Sequence, residues 1–166
     1  MLTVGDKVVY PMHGAGVIEG IEAREIKGTT QDYFVLTMLF GDMRVMIPVQ
    51  NVDHVGLRPV IASGEVSHIP EVLEERPCQI MRNINWNRRF NFYLDKMKQG
   101  DIFSVAEVVR NLLAQDRVKK LSTGERRLLS TAKQILVSEL MLSCSEESTI
   151  VESWLDKWFV EPEQEH

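Results

Sequence analysis

The hydrophobic pattern changes period once, near residue 65, and that single change restricts the chain to strands followed by helices. Before it, short runs rich in Val, Ile, Tyr and Phe span Gly5 to Tyr10, Ala15 to Ile21, Asp32 to Phe40 and Met43 to Val49. They are separated by Pro11, Gly14, Lys27-Gly28 and Gly41-Asp42. Four such runs with short connections predict a small antiparallel β-barrel. Gly41-Asp42 reads as a tight hairpin, because glycine supplies the positive φ that such turns require. Pro48 closes the fourth strand, and Asn51 to Val55 offers a short fifth. Gly14-Ala15-Gly16 lacks the lysine and helix of a phosphate loop and reads as a turn between strands.

Beyond residue 65 the apolar positions recur at helical spacing. Pro70 to Glu75 predicts a short helix, interrupted at Arg76-Pro77 because proline disfavours helix in the residue before it. Asn87 to Lys98 places Phe90, Tyr93, Leu94 and Met97 at i, i+3, i+4 and i+7, with Gly100 as the stop. Ser104-Val105-Ala106-Glu107 has the form of a capping box ahead of Val108, Val109, Leu112 and Leu113, and Ser122-Thr123-Gly124-Glu125 repeats it ahead of Leu128 to Leu140. A last helix, Thr149 to Val160, carries Ile150, Val151, Trp154, Leu155, Trp158 and Phe159, pairs at four-residue spacing that read as core. The fold class is therefore α+β, a small antiparallel barrel over residues 1–56, a linker over 57–66 and a domain of four to five helices over 67–166.

Charge separates the same segments more sharply than the total of -5 over 166 residues suggests. Residues 1–75 carry 5 Lys/Arg against 11 Asp/Glu, residues 76–133 carry 13 against 5, and residues 134–166 carry 1 against 8. One basic stretch between two acidic ones points to a polyanion partner for that stretch, or to basic and acidic helices that neutralise each other by packing. The longest apolar runs fall short of the ~18 to 20 residues a membrane helix needs, and no leader opens the chain, so a cytoplasmic protein is expected.

Residues for catalysis do not assemble. The histidines His13, His54, His68 and His166 form neither HxH nor HExxH, and no GxxxxGK[ST] or GxGxxG occurs. Cys78 and Cys144 have neither metal-ligand spacing nor disulfide density, so two reduced thiols and no zinc site are expected. Arg76 and Arg82 would lower the pKa of an exposed Cys78, but no histidine stands nearby as a base. The reading is not an enzyme, with no cofactor and no metal.

The segment Asn83-Ile84-Asn85-Trp86-Asn87-Arg88-Arg89-Phe90 is of another kind. Trp86 stands at a helix start between Asn and Arg rather than between apolar neighbours. Two readings stay open at this level. The indole folds back as a hydrophobic staple, or it offers a flat apolar surface among guanidinium and amide donors, the combination that stacks on bases or enters a groove beside phosphates. Arg88, Arg89, Arg126 and Arg127 place paired arginines at two helix N-termini, where backbone amides also favour anions, with plain solvated charge as the alternative reading.

The N-terminal part carries Val4-Gly5-Asp6-Lys7-Val8-Val9-Tyr10-Pro11, His13-Gly14, Ile26-Lys27-Gly28 and Ile47-Pro48-Val49. The C-terminal part carries Asn85-Trp86-Asn87-Arg88-Arg89, Gly100-Asp101, Val105-Ala106-Glu107-Val108-Val109-Arg110, Leu121-Ser122 with Gly124-Glu125-Arg126-Arg127, and Ala132-Lys133-Gln134-Ile135-Leu136-Val137. In their order and spacing these motifs resemble the CarD/CdnL family of bacterial transcription regulators over essentially the whole chain.

The resemblance implies a Tudor-like, SH3-like N-terminal barrel that docks on the lobe of the RNA polymerase β subunit. It also implies a helical domain that contacts promoter DNA at the upstream edge of the transcription bubble; a few arginines on a chain of net charge -5 predict that this contact is sequence-independent. Trp86 would be a minor-groove wedge that supports the open complex, Arg88, Arg89 and Arg126 would hold phosphates with Arg127 beside them, and Arg24 matches a polymerase-contacting position. Two departures stand out. A family docking arginine falls at Met46, with Arg44 two residues earlier on the same face, and a lysine frequent after the aromatic is Asn91. A monomer is expected, located with polymerase at the nucleoid. The competing classes are a polymerase-docking module that leaves DNA alone, an operator-reading helix-turn-helix repressor and an unrecognised enzyme.

Overall fold

The computed structural model describes residues 1–41, 43–75 and 85–159. Asp42, Arg76-Pro77, Cys78, Arg82, Asn83, Ile84, Val160 and His166, all named above, lie outside the described residues.

Strands β1 (Lys7–Tyr10), β2 (Gly14–Ile26), β3 (Thr29–Met38) and β4 (Arg44–Pro48) form an antiparallel meander, and β5 (Arg58–Pro59) returns to pair with β1. The sheet order is β4-β3-β2-β1-β5. Lys27 and Gly28, with φ of 53° and 79°, make the two-residue connection between Ile26 and Thr29. Positive φ at both central positions matches the right-handed twist of the flanking strands, which is why a glycine stands there. Ile47 of β4 and Leu57 before β5, from opposite edges, share one apolar cluster with Val8, Ile18, Phe34, Leu36 and Met38. The sheet therefore curls around its own core, as a small β-barrel does.

Two local expectations fail here. Residues 52–55 form a helical turn, α1 (Val52–Val55), rather than a strand, and the fifth strand lies later at Arg58–Pro59. Asp53 in its first turn and Gly56 in the left-handed conformation at its end favour the turn over extension. Gly14-Ala15-Gly16 is likewise strand and not turn, since Gly14, Ala15 and Gly16 pair with Tyr10, Val9 and Val8.

Helices α2 (His68–Glu74), α3 (Trp86–Gln99), α4 (Ile102–Val118), α5 (Thr123–Cys144) and α6 (Ser148–Phe159) follow. Their buried faces, among them Tyr93, Met97, Val105, Val109, Leu112, Leu129, Leu136, Val151 and Leu155, form a second core. Gly100 ends α3 as the spacing predicts. The expected capping box at Ser104 is not the start of α4: Asp101 caps it, accepting from the amides of Phe103 at 2.7 Å and Ser104 at 3.0 Å. An aspartate three residues upstream reaches the free amides first, and Glu107 pairs with Lys96 instead of reaching back. Asp101→Ala is expected to cost about 1 kcal/mol of stability, read from urea unfolding.

The α6 pattern is only half core. Val151 and Leu155 are buried, whereas Ile150 and Trp154 are exposed, because a helix lying on α5 covers one stripe of itself and leaves the adjacent one to water.

Sheet and helices pack through α5. The amide of Ala15 donates to the Ser138 hydroxyl at 2.9 Å, and the Lys7 ammonium donates to the Leu142 carbonyl at 3.0 Å. The segment expected as a linker contributes directly: the Ser143 hydroxyl donates to the Ile61 carbonyl at 2.6 Å, and Arg58 pairs with Glu139 and donates to the Gly100 carbonyl. Met12 and Phe40 rest on the helical core. The helical unit is thus held against the sheet by buried polar bonds as well as apolar contact.

Candidate nucleic-acid interface

The starts of α3 and α5 lie side by side. Asn85 caps α3, its side chain accepting from the Arg88 amide at 2.9 Å. Ser122 caps α5 in a full capping box with Glu125, as the spacing predicts. Trp86, the first residue of α3, bridges the two ends. Its Nε1 donates to the Ser122 hydroxyl at 2.9 Å, and its ring stacks on Phe90 with centroids 5.2 Å apart and planes 12° apart. Gly124 lies beside the ring, where a Cβ would stand 3.4 Å from the benzo edge of the indole. The side chain is still 44% exposed. The ring is therefore anchored to both helix starts, as a staple would be, while part of its apolar surface stays exposed.

The arginines around it differ in what they are free to do. Arg88 and Arg127 are exposed and form no ion pair among the described residues. Arg126 is partly exposed and lies 3.6 Å from Asp116. Arg89 is committed inward: its Nε and Nη2 lie 3.2 and 3.4 Å from the Glu125 carboxylate, itself only 2% exposed. Gln115 donates to the same carboxylate at 2.7 Å. Burial pushes the Glu125 carboxyl upward, but the bonds from Gln115, Arg89 and Ser122 outweigh it and hold the group below the usual carboxylate range.

On the sheet, the residues singled out for docking share a face. Arg24 opposes Gln31, Met46 opposes Val35 and Arg44 opposes Thr37. Gln31, Val35 and Thr37 are separated by even numbers of residues, so all three pairs project to one side of the pleat. They run over about 20 Å at ~3.3 Å per residue. Arg24 and Arg44 lie near Glu22 and Glu19 at 3.4 and 3.3 Å, exposed pairs that are readily exchanged for another partner.

Residues 61–156 match the family model described as CarD, C-terminal domain, and residues 2–61 match the model described as CarD-like/TRCF RID domain. The chain belongs to the CarD family. It is 38% identical over 140 residues, 84% of this chain and 90% of the relative, to a Bacillus subtilis (strain 168) protein called "Putative transcription factor YdeB". A solved structure, "CdnLNt from Myxoccoccus xanthus", is 46% identical over 37% of this chain and 86% of that one, with a TM-score of 0.32. This CarD-family protein is a transcription regulator of a kind that interacts with RNA polymerase.

Among the described residues no group of three or more His, Cys, Asp or Glu is placed to hold a metal ion, and no helix is long and apolar enough to cross a membrane. The Cys144 thiol is pushed up by burial and by Glu146, which keeps it protonated and poorly nucleophilic. Sequence reasoning placed Ser122 and Glu125 only as a helix cap. That the same cap receives an indole and a guanidinium from α3, 36 residues away, has no local signature. Arg117, Lys119 and Lys120, exposed at the end of α4 and just ahead of Ser122, extend the cationic surface and were visible beforehand only as part of the basic segment.

Proposed function

We propose that this CarD-family protein docks through its sheet on the lobe of the RNA polymerase β subunit and stabilises the promoter open complex from the upstream edge of the bubble. The observation that carries the reading is the half-exposed indole of Trp86 at the junction of two helix starts that also bear Arg88, Arg126 and Arg127. Arg24, Arg44 and Met46 supply the docking face, and Arg88, Arg126 and Arg127 take phosphates. Arg89 contributes chiefly by bracing Glu125, since two of its nitrogens are already bound there. The protein acts as a monomer, in the cytoplasm, and reaches the nucleoid through polymerase.

The energetics favour tethering. A few arginines on a chain of net charge -5 give weak, salt-sensitive DNA affinity, with non-specific dissociation constants of ~10⁻⁴ to 10⁻⁶ M. A helical unit held on polymerase meets the promoter at roughly millimolar effective concentration, enough to occupy DNA it could not hold alone. Location then comes from polymerase. The indole N–H is already bound to Ser122, so the ring offers exposed apolar surface and not a base-reading donor.

Inserting an apolar side chain into intact duplex costs on the order of a few kcal/mol of unstacking. At a bubble edge that distortion already exists. The ring therefore binds the melted state better than closed duplex, and this differential affinity is what shifts the equilibrium.

The test is the lifetime of open complexes on a weak promoter after addition of competitor DNA. Trp86→Ala is expected to shorten the protein-dependent lifetime several-fold, and Arg88→Ala with Arg127→Ala to weaken it in a salt-dependent way. An unchanged lifetime with Trp86→Ala overturns the wedge and leaves a module that docks on polymerase without touching DNA. Strong preference for one duplex sequence without polymerase would instead favour a repressor.

A further inference from the structure

We infer that Ser122 is a positioning residue for Trp86: its hydroxyl, held in place by the first turn of α5, fixes the indole against Phe90 while the residue stays 44% exposed. The inference rests on the proposed role of that ring at the bubble edge. Its geometry stands apart from that role.

A serine hydroxyl has one proton to give and two lone pairs to offer. Here all three are assigned. The proton goes to Glu125 Oε1 at 3.0 Å, one lone pair receives the Glu125 amide at 3.2 Å, and the other receives the indole N–H at 2.9 Å. Because Glu125 is an ionised acceptor, the hydroxyl cannot turn its proton toward the indole, so an acceptor always faces Trp86. Arg89 and Gln115 hold the carboxylate from the other side, at 3.2 and 2.7 Å. The chain of bonds therefore runs from α4 and α3 through Glu125 and Ser122 to the ring.

Two apolar contacts complete the seat. Phe90 lies parallel beneath the indole, and Gly124 leaves the helix start bare of side chain beside its benzo edge. A free tryptophan at a helix start samples several rotamers, and each one other than the bound one must be given up when the ring stacks on DNA. Held in this way, Trp86 meets the bubble edge with that ordering already done. Serine at position 122 thus has a second task besides capping, and the two are separable by mutation.

The experiment uses the full chain with ¹⁵N-labelled tryptophan. The Trp86 indole signal is identified by its loss in Trp86→Phe, and its hydrogen exchange is followed together with the open-complex lifetime. Ser122→Gly removes the hydroxyl while keeping a residue that helix N-termini accept, so the fold is retained. It is expected to speed Trp86 indole exchange at least tenfold and to remove half or more of the lifetime that Trp86→Ala removes. Ser122→Thr, which keeps the hydroxyl, restores both. Asp101→Ala, which removes the cap of α4 at a distance from the ring, leaves indole exchange unchanged and shows that lost helix capping alone is not the cause.

Wild-type indole exchange in Ser122→Gly overturns the inference, as does a wild-type lifetime in Ser122→Gly while Trp86→Ala shortens it. If Trp86→Ala itself leaves the lifetime unchanged, the wedge reading fails. The exchange measurement still decides whether Ser122 sets the ring.

Discussion

Replacing Arg58 by alanine is expected to cost about 3–5 kcal/mol of folding stability at neutral pH, more than any surface change in the molecule. Arg58, on β5, pairs with Glu139 of α5, which is 1% exposed, and also donates to the carbonyl of Gly100 between α3 and α4. Without the guanidinium, a carboxylate is left in the contact between sheet and helices with its cation gone. Burial already pushes the Glu139 carboxyl up despite Arg58, and Asp101 adds to the rise. A group whose folded value is raised contributes stability in full below its ordinary value of about 4.3, and that contribution is lost as pH climbs through the folded value. Removing Arg58 raises the folded value further.

The deficit of Arg58→Ala should therefore be largest at pH 7 to 8 and shrink on acidification toward pH 4 to 5, in urea unfolding at each pH. Glu139→Gln should cost less, because the surviving Arg58 is partly exposed and reaches water. An Arg58→Met, Glu139→Leu double variant should recover most of the loss, since an apolar pair has no charge to desolvate. A loss below about 1 kcal/mol for Arg58→Ala at pH 7.5 would place the ion pair in water and sink the account.

Glu125→Ala is expected to be the second costly change, about 2–4 kcal/mol, because it orphans Gln115, part of Arg89 and the Ser122 hydroxyl at once. Its pH dependence has the opposite sign to that of Glu139, although both residues are buried on α5. Burial pushes Glu125 up, but bonds from Gln115, Arg89 and Ser122 bring it below the usual range. A lowered folded value means stability that is present above about pH 4.3 and is lost as pH falls through the folded value. Glu125→Gln should therefore be less stable than wild type at neutral pH and converge with it in acid. The Trp86 indole should also exchange faster in this variant, since the hydroxyl that receives it is no longer oriented by a carboxylate. A wild-type midpoint for Glu125→Gln at pH 7 would contradict this.

The helical half shows why some features were legible in advance and others were not. Tyr93 and Met97 on α3, Val105, Val108, Val109, Leu112 and Leu113 on α4, and Leu128, Leu129, Ala132, Ile135, Leu136 and Leu140 on α5 are buried where the 3.6-residue period places them. The Ser122 and Glu125 cap was legible for the same reason, since both partners lie within one turn. Asp101 displaced the box expected at Ser104 because two local caps competed and only the one nearer the free amides made its bonds. In α6 the four-residue pairs marked an apolar stripe wider than the neighbouring helix covers, so Trp154 was left exposed.

Alternation and spacing along the chain by themselves determined the first four strands, the helical second half, the basic stretch and the candidate residues Trp86, Arg88, Arg89, Arg126 and Arg127, because each of those depends on neighbours within a few positions. Only the tertiary structure decided which arginine is spent on Glu125, that Arg58 joins the sheet to Glu139 across 81 residues, and that Ser122 holds the indole of Trp86 across 36. Such bonds arise when folding brings distant donors and acceptors into a place that water has left. No local pattern carries that information, since each bond depends on a partner tens of positions away.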